Sequence, residues 1–243
     1  DLDGDGRSDL VYLSGQTLKV RVSDVGVLQT LRVVTTFNRQ GPLQLQTGDF
    51  NGDSRPDLAV AGPNSVQVFL NDGSANFTAQ TVLTTPDGDR VPYHLCSGDV
   101  DGDGKSDLCY LTNRFAGNRY WTLFFGSASG QLENPLTGTT GYRVQAMRLG
   151  DSTGDGKADL VTLQSSTGQA MARDPRDTSL SVFPGGPQGF NVPQVIELFN
   201  NRAPLSLVLR RINGDALLDV SVSAASNPST PTSAILYNLT RTP

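Results

Sequence analysis

The sequence predicts an all-β protein made of about five repeated four-stranded units, and three observations predict it. The first is composition. Of 24 acidic side chains, 22 are Asp, with Glu133 and Glu197 the exceptions, and of 19 basic side chains only three are Lys. Glu and Lys favour helix interiors, whereas Asp favours turns; 26 Gly and 14 Pro add further turn chemistry. The second is a recurring Asp-rich motif, and the third is the set of short β-rich runs that frames every copy of it.

The motif is D-x-[D/N]-G-D-G-x-x-D-L. It opens the chain at Asp1–Leu10 and returns at Asp49–Leu58, Asp99–Leu108 and Asp151–Leu160, with a decayed copy at Arg211–Val220. The starts near 1, 49, 99, 151 and 211 are 48, 50, 52 and 60 residues apart. A run we label A precedes the motif: Leu43–Gln46, Tyr93–Cys96, Arg143–Leu149 and Leu205–Arg210. Run B follows it: Leu10–Leu13, Leu58–Ala61, Leu108–Leu111, Leu160–Leu163 and Val220–Val222. Run C comes next at Leu18–Val22, Val66–Leu70, Trp121–Phe125, Leu180–Phe183 and Ala234–Tyr237, ending in turn chemistry such as Asn71-Asp-Gly73. Run D is visible at Leu28–Thr36, Phe77–Leu83 and Val192–Leu198. Short β-rich runs separated by turn residues read as strands.

Four strands repeating at about 50 residues describe a propeller blade. One small sheet leaves both faces uncovered, so blades stack radially, and Val11, Val60, Val66, Val68, Trp121, Leu123, Leu180 and Val182 are expected between them. Residues 1–243 are read as one propeller domain or part of one. Five full units need 20 strands and the sequence supplies 18, lacking the first A and the last D. A closed five-blade ring and an arc of a larger propeller both remain open.

The loops carry the chemistry. Asp at positions 1, 3, 5 and 9 places hard oxygens around one point, and position 7 adds a backbone carbonyl; such a set suits Ca²⁺. The candidate ligands are Asp1, Asp3, Asp5, Arg7 and Asp9; Asp49, Asn51, Asp53, Arg55 and Asp57; Asp99, Asp101, Asp103, Lys105 and Asp107; and Asp151, Thr153, Asp155, Lys157 and Asp159, with Arg7, Arg55, Lys105 and Lys157 offering carbonyls. Carboxylates held this close repel without a cation. Loops 1 and 3, with four carboxylates each, are expected to bind most tightly. Loop 5 has Arg211 at position 1 and is expected to keep the hairpin and hold no metal, giving about four ions in all. An EF-hand would need Glu at position 12, where Tyr12 and Tyr110 stand.

These residues resemble the FG-GAP/VCBS repeat family, the blades of integrin-α-like propellers. The resemblance takes in the loop and the strand after it, as in Val66-Gln-Val-Phe-Leu-Asn-Asp-Gly-Ser-Ala-Asn-Phe77. It implies a calcium loop joining strands A and B on one face. The D–A and B–C connections would then lie on the opposite face, where integrin-like propellers contact partners. Tyr120–Gly130 also looks like repeats of bacterial SpvB/RHS-type toxin-delivery proteins.

Other constellations carry less. Gly104-Lys105-Ser106 has Asp99 where a phosphate loop needs Gly, among carboxylates that repel phosphate. One His and two Cys leave no zinc set. Cys96 and Cys109 flank loop 3, on strands expected to neighbour each other, so a disulfide and a pair of buried thiols are both open. The expanded B–C connections of units 3 and 4 carry Arg114, Phe115, Arg119, Tyr120, Arg173 and Arg176, candidate partner contacts on long loops.

The expectation is a non-enzymatic, calcium-stabilised binding or scaffold module. Its place is extracellular, at the cell surface or periplasmic, within a larger multidomain chain. Its partner is expected to be a protein or glycan, and neither nucleic acid nor a membrane span. The alternatives are a carbohydrate-binding lectin and the shell of a toxin-delivery protein. The formal charge of −5 is concentrated: 16 of the 24 acids lie in the motifs, and four Ca²⁺ would change it to −5 + 8 = +3.

Overall fold

The computed structural model describes residues 1–25, 27–29, 31–38, 41–85, 92–113, 118–142, 144–165, 178–199, 203–212, 218–225 and 231–236. They form two compact units, one of residues 1–97, 104–112 and 123–135, the other of residues 98–103, 113–122 and 136–243.

The architecture is all-β, in the manner of propeller blades. Strands β1 (Leu10–Ser14), β2 (Thr17–Arg21) and β5 (Arg32–Thr36) make the first sheet, in the order β1-β2-β5. Strands β3 (Ser23–Asp24) and β4 (Val27–Leu28) pair as a small hairpin beside it in sequence. The second sheet runs β10-β8-β7-β6, from β6 (Gln44–Gly48), β7 (Asp57–Gly62), β8 (Ser65–Asn71) and β10 (Leu83–Thr84), with β9 (Phe77–Ala79) also on β8. The third runs β11-β12-β13-β14, from β11 (His94–Gly98), β12 (Asp107–Asn113), β13 (Asn118–Phe125) and β14 (Glu133–Tyr142). The fourth runs β15-β16-β17-β18, from β15 (Val144–Gly150), β16 (Asp159–Ser165), β17 (Thr178–Phe183) and β18 (Gln194–Phe199). The fifth runs β19-β20-β21, from β19 (Ala203–Arg210), β20 (Asp219–Ala225) and β21 (Pro231–Leu236).

Among the described residues the first sheet holds strands B, C and D and the last holds A, B and C, as the strand count predicts. Two D runs differ from expectation. Leu28–Thr36 breaks into β4 and β5, and Phe77–Leu83 into β9 and β10. Both pieces of the second pair with β8, and Gln80 N donates to Val68 O between them. An outer strand covered on one side only tolerates such breaks.

Apolar residues from B and C make the cores. In the first unit, Leu18, Val20, Leu58, Val60 and Phe69 form one cluster, and Val66, Val68, Leu108, Tyr110 and Phe124 another. In the second unit, Val161, Leu163, Leu180, Val182, Val220 and Val222 pack together, and Phe190 meets Trp121 edge-on at 5.1 Å. The cores lie in strands immediately beyond the Asp loops, so packing fixes the base of each loop. The register is the same each time: Gly48↔Asp57, Gly150↔Asp159 and Arg210↔Asp219 close the A–B hairpins.

Candidate metal centre

Each loop separates into a rim and a root. The root is the position-9 aspartate at the start of strand B. Asp57, Asp107, Asp159 and Asp219 are buried. One carboxylate oxygen accepts from the chain just beyond strand C: Ser23 N to Asp9, Asn71 N to Asp57, Gly126 N to Asp107 and Gly185 N to Asp159. The other accepts from position 2 of its own loop: Leu2 N to Asp9, Phe50 N to Asp57, Ser152 N to Asp159 and Ile212 N to Asp219. The root therefore ties the loop to strand C. Its cost is visible at Asp57, where burial pushes the carboxyl up to about 6 against the two hydrogen bonds that oppose the shift, with Asp53 and Asp49 adding to the rise.

The approach of neighbouring loops is equally close. Ser106 N donates to Asp49 O and Ala158 N to Asp99 O, both at 2.6 Å. A Cβ on Gly126 would lie 2.6 Å from Ser106 O, and one on Gly185 2.5 Å from Ala158 O, so only glycine fits there. Blade 2 solves the same place differently. Pro56 has no N–H, and Asn71 donates its side-chain amide to Leu2 O and Pro56 O.

The rim is exposed or half-buried. The position-1 carboxylate wraps the loop around itself. Asp1 accepts from Gly4 N and Gly6 N; Asp49 from Gly52 N, Asp53 N and Ser54 N; and Asp151 from Gly154 N, Asp155 N and Gly156 N. Positions 4 and 6 adopt positive φ in all four loops, including Ser54 at 65°.

Among the described residues, two groups of three carboxylates have oxygens within 4.8 Å of one another: Asp1, Asp3 and Asp9, and Asp99, Asp101 and Asp107. These belong to the loops richest in carboxylates. The donor set fits a hard divalent cation, since each carboxylate has about four lone-pair sites and the two root hydrogen bonds leave capacity. In the other loops the position-3 residue is turned to a neighbour. Asn51 donates to Asp53 Oδ2 at 3.0 Å, and Thr153 N donates to Asp159 Oδ2 at 2.9 Å. Position 5 stands apart. Asp5 lies outside the group, with its Oδ2 2.7 Å from Arg7 Nη1; Arg55 and Lys157 face Asp53 and Asp155 at 3.7 and 3.8 Å.

Of the other predicted residues, Cys96 and Cys109 are free, buried thiols, and Cys96 Sγ donates to Cys109 O at 3.7 Å. Burial and the adjacent Cys96 push the Cys109 thiol well up. Tyr120 is half-buried on β13, which also carries Arg119. Arg114, Phe115, Arg173, Arg176 and residues 213–217 of loop 5 lie outside the described residues. No described helix is long and apolar enough to cross a membrane.

The loop geometry and the repeated sheets define a repeat protein of the propeller class. A family profile described as FG-GAP-like repeat matches residues 1–60, 49–110 and 99–162, each window running from one Asp loop through the next. The chain belongs to this FG-GAP-like repeat family. A solved structure of similar fold is a lectin from Agrocybe aegerita, titled for specific recognition of non-reducing terminal N-acetylglucosamine. The match has a TM-score of 0.65 and 14% identity, and covers 99% of this chain and 65% of the lectin.

Proposed function

We propose that the chain is a calcium-stabilised binding or scaffold module rather than an enzyme, acting in an extracellular, cell-surface or periplasmic setting. The observation that carries this reading is the convergence of carboxylate oxygens of Asp1, Asp3 and Asp9, and of Asp99, Asp101 and Asp107, within 4.8 Å of one another. In this reading calcium is structural. It neutralises the rim, and its binding free energy adds to folding stability. Loops 1 to 4 take about four ions, and the fifth, with Arg211 at its head, takes none.

The test is thermal unfolding with and without chelator. At 100 times Kd, one site adds about 2.7 kcal/mol, so EDTA lowers Tm by several degrees. An unchanged Tm at neutral pH, with no calcium uptake by equilibrium dialysis, removes the metal from the reading. The partner is proposed to be a protein or glycan. A specific observation favours the glycan: a surface concavity of about 340 Å³ on the turn Gly186–Asn191 brings the Phe190 ring beside Gln188, with the Asn191 amide turned to Pro184 O and Gly185 O. A blank glycan array, or one unchanged by Phe190→Ala, counts against a lectin role for that concavity.

A further inference from the structure

The position-7 side chains have a consequence for cation binding that the donor count alone does not give. Arg7 does not simply extend into solvent. Its backbone N–H donates to Asp5 Oδ1 at 2.8 Å and its guanidinium to Asp5 Oδ2 at 2.7 Å, so both oxygens of that carboxylate are engaged by one residue. Loops 2 and 4 repeat the arrangement. Arg55 N and Lys157 N donate to Asp53 and Asp155, and their charged ends lie 3.7 and 3.8 Å from the second oxygen. Asp5 is absent from the group formed by Asp1, Asp3 and Asp9, as Asp103 is from that of Asp99, Asp101 and Asp107.

We propose that the basic side chain at position 7 of loops 1, 2 and 4 is a tethered internal counter-ion, which pairs with the position-5 carboxylate and must release it to an arriving divalent cation. The inference rests on the calcium reading above and adds to it a built-in competitor for each site.

The magnitudes say which ion wins. Arg7 and Asp5 side chains are 45% and 27% exposed, and the other two pairs are comparably open. Exposed pairs of this kind are weak and screened by salt. A divalent ion facing three or four carboxylates displaces such a pair, and the competitor weakens binding without preventing it. The tether also softens the apo loop, because one positive charge offsets part of the repulsion among the rim carboxylates. The Lys157 stem lies over Gly102 of the preceding loop, 3.4 Å from where a Cβ would stand.

The test is calcium titration by isothermal calorimetry on the double variant Arg7→Gln/Arg55→Gln, with folding checked by circular dichroism. The charge-matched double variant Lys19→Gln/Arg148→Gln changes net charge equally, at positions outside loops 1 and 2. At 10 mM salt the loop variant is expected to bind about three- to tenfold more tightly at the altered sites, and the gain is expected to vanish near 1 M salt, where screening acts within about 3 Å. The control variant is expected to give a clearly smaller shift. Equal tightening in both variants assigns the effect to the net field and overturns the proposal, as does wild-type affinity or weaker binding in the loop variant. Absence of calcium binding by the wild type and by every variant is a different result, which overturns the calcium reading and this proposal with it.

Discussion

Rim and root lie within nine residues of each other and use the same side chain, yet the structure treats them as opposites. The root carboxylates of Asp57 and Asp159 are shut away from water and held by backbone N–H groups from two separate segments. The rim carboxylates of Asp1, Asp3 and Asp5 are exposed or half-buried, and bond mainly within their own turn. The lesson is that an aspartate repeated in a metal-type motif can serve fold and ligand at once. The root positions the loop whether or not an ion is present; the rim is where an ion changes the balance of charge.

The comparison breaks if root and rim prove equally important without metal. Asp159→Ala strips the partner from Ser152 N, Thr153 N and Gly185 N together. Leaving buried donors unpaired costs about 1–3 kcal/mol each, so a loss of about 3–5 kcal/mol is expected by urea unfolding in chelator. Asp3→Ala at the rim is expected to cost less than about 1 kcal/mol under the same conditions. Equal losses would show that the root is not the tie described here.

A smaller effect sharpens the same contrast through pH. Burial raises the Asp57 carboxyl to about 6 from an ordinary 3.8. A raised folded-state value means that the folded protein holds this proton more tightly than the unfolded chain does. The stability so conferred is fully present below about pH 3.8 and is lost as pH rises through about 6, a change of up to about 3 kcal/mol. Asp57→Asn removes the titration, so its destabilisation relative to wild type, measured by urea unfolding in chelator, is expected to be larger at pH 4 than at pH 7. Calcium is expected to flatten the slope, because an ion near Asp49 and Asp53 offsets the two charges that add to the rise. A wild-type-minus-variant difference constant across this range would contradict the burial argument.

The frame of the protein was legible from the repeat. The B runs at Leu58–Ala61 and Leu160–Leu163 sit inside β7 and β16, because buried central strands give continuous apolar runs bounded by turn residues. Of the D runs, Val192–Leu198 is one strand, β18, whereas Phe77–Leu83 was legible only as a region, since β9 and β10 part at an outer strand where no core alternation fixes the register. The division of the motif into rim and root was not legible at all. Asp49 and Asp57 read alike in sequence, and only the return of strand C to place Asn71 N against Asp57 separates them. The position-7 carbonyls were expected as ligands; what spacing did not reveal is that the side chains of Arg7 and Arg55 turn back on position 5.

The smallest expected effect tests whether the rim is shaped by its own hydrogen bonds. Position 6 is Gly6, Gly104 and Gly156 in three loops, all at positive φ, and Ser54 adopts the same conformation at 65° in the fourth. The reason is the bond from this N–H to the position-1 carboxylate, 2.7 Å for Ser54 against 2.8 and 3.0 Å for Gly6 and Gly156. A left-handed conformation costs an L-residue about 1–2 kcal/mol, whereas glycine adopts it freely but loses more chain entropy on folding. The difference leaves Ser54→Gly about 0.5–1 kcal/mol more stable than wild type by urea unfolding. If the gain appears in chelator, the rim turn is set by Asp49 and the backbone before any cation arrives. If it appears only with calcium present, the ion imposes the turn, and the rim depends on metal for its shape as well as its charge.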